Sequence, residues 1–194
     1  MSEMEITRED VAGRARAGKL APLDIGRSLE TARGIKHPWY RCQALATTAE
    51  YMTGRDQERV LSESLAAAHE QDETNRVVTV SSWPIRVLAK IRPELAAKYV
   101  EDLVALAETE PHNLRRSHAL QSLAYSVSGH PGLLGRVVPA LVESLIGGHG
   151  PRIDRCIRDT FELVLSARPD LAWTVAMHHK PNNLQSRLLA AIPG

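Results

Sequence analysis

An all-helical fold, built from antiparallel helix pairs recurring about every 38 residues, is what this sequence predicts. Three observations carry the prediction. Pro93-Glu94-Leu95-Ala96, Pro131-Gly132-Leu133-Leu134 and Pro169-Asp170-Leu171-Ala172 start 38 residues apart, twice over. Three segments opened by Arg41, Arg76 and Arg116 share one apolar stripe at offsets 4, 7, 8 and 11. Only 4% of the 194 residues are aromatic, while Ala, Leu, Arg and Glu abound, a balance that favours helix over sheet.

Each element follows from local chemistry. A proline opens a helix well because the N–H it lacks would be unpaired there anyway. Downstream of the first two starts Leu103 and Leu141 keep the 38-residue spacing, Leu65 sits 38 before Leu103, and Asp56 stands near where the preceding repeat would place an N-cap. The stripe comprises Leu45, Val80 and Leu120 at offset four, then Thr48, Trp83 and Leu123 at seven. Ala49, Pro84 and Ala124 follow at eight, and Met52, Val87 and Val127 at eleven. Trp83 on this stripe reads as core. A fourth copy counts better from Cys156 than from Arg155, because Asp159 would otherwise be buried unpaired. A last partial unit from Leu184 to Ile192, with Arg187, is stopped by Pro193-Gly194.

The predicted helices cover 7–17, 22–34, 38–53, 56–70, 74–91, 93–109, 112–128, 131–147, 151–167, 169–179 and 183–192. Their connections are short and rich in Gly, Pro, Asn and His, which forces neighbours to pack antiparallel. With no long linker, residues 1–194 read as a single domain.

This pattern resembles the HEAT-like and armadillo-like α-solenoids over about residues 20–192. The likeness rests on the period, the Pro-initiated second helices and Pro84 inside a first helix, where HEAT repeats often carry a kinking proline. It implies a right-handed α-α superhelix of about five helix pairs. It names no activity; such arrays usually hold a partner along several repeats, which is analogy from fold.

Composition narrows the functions. No apolar run approaches the roughly 20 residues that span a bilayer, so no membrane partner is expected. Met1 to Asp10 carries Glu3, Glu5, Glu9 and Asp10, unlike a signal peptide. Two cysteines, Cys42 and Cys156, are too few for a disulfide scaffold, so a bacterial-type soluble protein of the reducing cytoplasm is expected. Their near-equivalent places three repeats apart put them on the order of 30 Å apart, beyond the roughly 7 Å a disulfide needs. They read as small buried hydrophobes.

The formal charge of +1 hides an asymmetry. Residues 1–110 hold 15 Lys and Arg against 18 Asp and Glu; residues 111–194 hold 9 against 5, with six of the eight histidines. Arg115, Arg116, His118, Arg152, Arg155 and Arg158 are the densest candidates for binding an acidic partner, or else they pair with Asp154, Asp159 and Glu162. The repeating Arg41, Arg76, Arg116, Arg155 and Arg187 read either as an anion-binding row or as bridges between repeats. Trp39 and Tyr40, at a helix start, either anchor a partner or staple the helix.

No catalytic signature stands out. His178-His179 point about 100° apart on a helix and make a poor metal pair, and His112 and His118 are six residues apart. Gly147-Gly148-His149-Gly150 follows a helix and lacks a P-loop Lys, so it reads as a cap and turn. No Gly-x-Ser-x-Gly elbow occurs. The expected function is therefore a non-catalytic adaptor or regulator that binds another protein, without cofactor or metal. The alternative is a nucleic-acid binder or alkylated-base glycosylase of HEAT-like fold, with Trp173, Asp159 and Arg155 as its candidates. A homodimer through an array end, at Leu184, Leu188, Leu189 and Ile192, is a further expectation.

Overall fold

The computed structural model describes residues 5–193; Glu3 and Gly194, used above, lie outside them. Among the described residues there are eleven α-helices and no strand. They are α1 (Arg8–Leu20), α2 (Ile25–Arg33), α3 (Pro38–Ala49), α4 (Gly54–His69), α5 (Thr74–Ile91) and α6 (Pro93–Glu108). The rest are α7 (Asn113–Ser126), α8 (Pro131–Ile146), α9 (Pro151–Ala167), α10 (Pro169–His178) and α11 (Asn183–Ala191). All the expected helices form, with ends within four residues of the expected ones.

Local signals set the starts. Prolines open α3, α6, α8, α9 and α10. Thr7 and Asp10 form a reciprocal capping box on α1, while Asp24 and Asn182 cap α2 and α11 through their side chains. One expected cap moves: Asp56 lies in the first turn of α4, paired with Arg59 at 2.9 Å, and Thr53 holds the N-cap position. Chain entry through Gly54, whose φ is 66°, starts the helix two residues earlier than expected.

The chain divides into two compact units, Met1–Ala96 and Ala97–Gly194, with the division inside α6. In the first, α1 packs on α2 and α3, α2 on α3, and α3 and α5 both pack on α4 and on each other. Its core holds Leu45, Val60, Leu61, Val78, Val80, Ile85 and Leu88. Alanines 17, 32, 44 and 46 are fully buried, so these helices approach closely. Buried hydroxyls are satisfied across helices: Ser28 Oγ donates to Ala17 O at 2.8 Å and lies 2.7 Å from Thr48 Oγ1.

In the second unit α7 packs on α8 and α9, α8 on α9 and α10, α9 on α10, and α10 on α11. Leu120, Leu123, Val127, Val137, Leu141, Phe161 and Val164 form its core. Ser117 Oγ donates to Ser144 Oγ at 3.0 Å, which in turn donates to Leu141 O at 2.7 Å.

The shared stripe is buried at most of its positions. Trp83 departs from it: the ring is half-buried, with the guanidinium carbons of Arg14 and Arg86 each 5.3 Å from its centroid. An indole covered by two cationic groups at the edge of the core is a stable alternative to full burial. No helix among the described residues is long and apolar enough to cross a membrane.

Candidate functional site

The second unit brings together the cationic residues that the sequence singles out. Two hydrogen bonds lock the register of α7 against α9: Cys156 Sγ donates to Gln121 Oε1 at 3.1 Å, and Tyr125 Oη donates to Asp159 O. Residue numbers rise together across this pair, so the helices run parallel. One turn nearer their N-termini, His118 on α7 therefore lies at the level of Arg152 on α9, with Arg155 most of a turn further along.

The charges on this face are unevenly satisfied. Arg115 is exposed and has a partner. Arg116 is half-buried and turns back onto the chain before α7, donating to Glu110 O at 3.2 Å and to Asn113 Oδ1. Arg158 donates to Asp154 O at 3.3 Å, one turn back in its own helix. His118, Arg152 and Arg155 are exposed, and their side chains have no hydrogen bond or ion pair among the described residues. The expected alternative partners are elsewhere: Asp154 accepts from His179 Nε2 at 3.1 Å, and neither Asp159 nor Glu162 forms an ion pair with these arginines.

Arg8, Arg16, Arg27, Arg55 and Arg187 are likewise exposed with no side-chain hydrogen bond or ion pair among the described residues, whereas other arginines are paired. Arg33 meets Glu63 through two bonds of 2.9 Å, Arg92 meets Glu58 at 2.7 Å, and Arg168 meets Asp170 at 2.6 Å. Arg41, Arg86 and Arg136 are paired with Glu70, Glu50 and Glu101. The Asp170 carboxyl is held below its ordinary range by the hydrogen bond from Arg168. Exposed pairs of this kind add little stability, but they cancel local charge.

The periodic arginines are bridging groups where their contacts are resolved. Arg41 donates to Ile35 O at 3.1 Å and to Lys36 O at 3.0 Å; Arg116 reaches the carbonyl six residues back in the same way. Arg76 pairs with Glu73 at 3.0 Å and Asp72 at 3.6 Å. Arg155 and Arg187 lack such a bridge, which separates them from the scaffold members of the series.

Trp39 and Tyr40 sit in the first unit. Trp39 packs half-buried on Cys42, Ala67, Ala68 and Val80, and its backbone N–H donates to His37 Nδ1 at 3.2 Å. Tyr40 stands edge-on to His37 at 5.7 Å between centroids. Both line an open groove with Ile6, Gln71 and Arg76.

Both cysteines are free and buried. Burial pushes each thiol up to about 12, against the opposing Ser64 hydrogen bond for Cys42 and with help from the Asp159 charge for Cys156. His178 Nδ1 lies 2.9 Å from Thr174 O, and His179 is taken by Asp154. No cluster of three His, Cys, Asp or Glu side chains suited to a metal occurs among the described residues. Trp173 is 52% exposed on α10, and no hydrogen bond or ring contact among the described residues joins it to Arg155 or Asp159 on α9.

Sequence reasoning missed Gln121 and Tyr125, which set the α7–α9 register, and Arg14, which covers Trp83. Those residues carry no local signal, since each partner lies more than 30 positions away. No family model, curated protein or solved structure matches the chain.

Proposed function

We propose that this chain is a non-catalytic, HEAT-like binding module of the cytoplasm that engages an acidic protein surface through the exposed face of α7 and α9. The observation carrying this reading is that Arg152 and Arg155 on α9 are exposed without countercharge, and that His118 on the α7 helix packed against it is exposed without a partner. Uncompensated cations on a rigid helix pair favour association with acidic groups and speed encounter. The HEAT-like reading is supported by Pro93, Pro131 and Pro169, each the first residue of a helix 38 positions after the last. Packing of α3 against α1 and α5, and of α7 against α9, is what alternate helices of such a repeat do. Two free, buried cysteines fit a reducing compartment.

Affinity capture with the full chain, followed by mass spectrometry, tests it. Arg152→Glu combined with Arg155→Glu is expected to release the captured protein while circular dichroism stays unchanged. Retention of the protein by the double variant would sink the assignment of this face. The same cations support a second reading, binding of nucleic acid, which predicts retention on DNA at about 50 mM salt and loss near 200 mM. Sedimentation at several concentrations tests the further proposal of a dimer through the partly exposed Leu184, Leu189 and Ile192.

A further inference from the structure

In the second unit a cavity of about 290 Å³ opens where the end of α8 and the start of α9 meet the end of α10. Its floor is apolar: Leu145, Ile153, Ile157 and Val175 line it, each at most 4% exposed. Its polar lining includes Lys180, His149, His178, His179 and Asp154. Lys180 is exposed with no carboxylate partner among the described residues, and the rings of His149 and His178 lie on the cavity's rim.

The one acid in the wall is already engaged. Asp154 Oδ1 accepts from His179 Nε2 at 3.1 Å, and the His179 side chain is only 8% exposed. This contact engages one oxygen of the carboxylate, whose side chain stays 37% exposed. The cavity therefore combines an apolar base with a mouth where Asp154 is hydrogen-bonded to His179 and the ammonium of Lys180 is the formal charge left without a partner. Small-molecule sites have this composition, an apolar lining with a few convergent polar groups, and span roughly 300–1,000 Å³. A volume at the lower end of that range admits only a short chain.

We propose that this cavity binds a small organic anion with a short apolar tail, its charged end at Lys180 and His149 and its tail against Ile153, Ile157 and Val175. The site is separate from the α7–α9 face and does not depend on that face having a partner.

Isothermal titration of the full chain with hexanoate tests it. Saturable one-to-one binding is expected. 1-Hexanol, which keeps the tail and lacks the charge, is expected to bind at least tenfold more weakly. Lys180→Gln combined with His149→Gln, both at exposed positions, is expected to weaken hexanoate at least tenfold and leave 1-hexanol unchanged. Arg187→Gln, outside the cavity, is the control and should alter neither. The proposal is overturned by any of three results: no saturable heat with hexanoate at millimolar concentration, equal affinity in the double variant, or hexylammonium binding as tightly as hexanoate. Circular dichroism of each variant separates loss of the site from loss of the fold.

Discussion

The thiol of Cys42 donates to the carbonyl oxygen of Val80 across 3.5 Å. That carbonyl lies four residues before Pro84, which has no N–H to return to it. A cysteine on α3 thus fills the gap that a proline leaves inside α5. Ser64 completes the cluster, donating to Cys42 O at 2.8 Å. Pro139 in α8 instead sits on an exposed face, with Gly135, four residues before it, half-buried.

Cys42→Ala should therefore cost about 1–2 kcal/mol, from a lost hydrogen bond and a small cavity. Restoring the backbone donor with Pro84→Ala should reduce that penalty by about 0.5–1 kcal/mol, a coupling that a double-mutant cycle by urea unfolding reads directly. Equal penalties in both backgrounds would show that the thiol and the proline are independent.

Both thiols keep their protons far into the alkaline range, near 12 against an ordinary 9. At pH 8 neither should react with an aromatic disulfide reagent while the chain is folded, and two equivalents should react after denaturation. The same shift sets a pH slope. The unfolded thiols ionise from about pH 9 while the folded ones do not, so stability should fall as pH rises from 9 toward 12. Rapid labelling of the folded chain would contradict the burial.

Asp10 gives the opposite slope. It is 4% exposed, and burial alone would raise its carboxyl. Hydrogen bonds from the Thr7 hydroxyl at 2.6 Å, the His37 N–H at 3.0 Å and the Thr7 N–H at 3.0 Å outweigh burial and lower it to about 2. The charged form is the one the fold favours. Its contribution, on the order of 2 kcal/mol, is present above pH 4 and lost as pH falls through 2. Asp10→Asn should remove that acid-sensitive component, visible as a flatter unfolding midpoint between pH 4 and pH 2.

Glycine substitutions should sort by backbone angle. Gly150 has φ 98° immediately before Pro151, a region other residues enter at a cost of about 1–3 kcal/mol. Gly150→Ala should lower the thermal midpoint accordingly. Gly132 and Gly135 lie inside α8 with ordinary φ and open space around a new Cβ. Alanine at either should be neutral or stabilise by about 0.5–1 kcal/mol. A Gly150→Ala variant as stable as the parent would show that the α8–α9 connection relaxes freely.

Much of the architecture was legible because helix formation is local. Pro93, Pro131 and Pro169 mark starts through chemistry that needs no distant partner, and the stripe through Leu120, Leu123, Ala124 and Val127 is buried as its 3.6-residue spacing requires. Trp83 escaped that logic because spacing places a residue on a face and does not say how far from the rim it lies. Arg14, 69 positions away in the chain, decides it.

The candidate site was legible only as a set of names. Arg115, Arg116, His118, Arg152, Arg155 and Arg158 look alike in one dimension. Helix register then commits Arg116 to Glu110 O, draws Asp154 to His179, and leaves Arg152 and Arg155 without a countercharge. Amino-acid order alone determined where the helices lie, to within four residues at their ends, and which side of most of them is apolar, since these depend on bonds spanning three or four residues. Which charges are cancelled, which carbonyl a thiol serves and where a cavity opens were decided by tertiary packing, because side chains 25 to 40 positions apart meet only when whole helices settle into register.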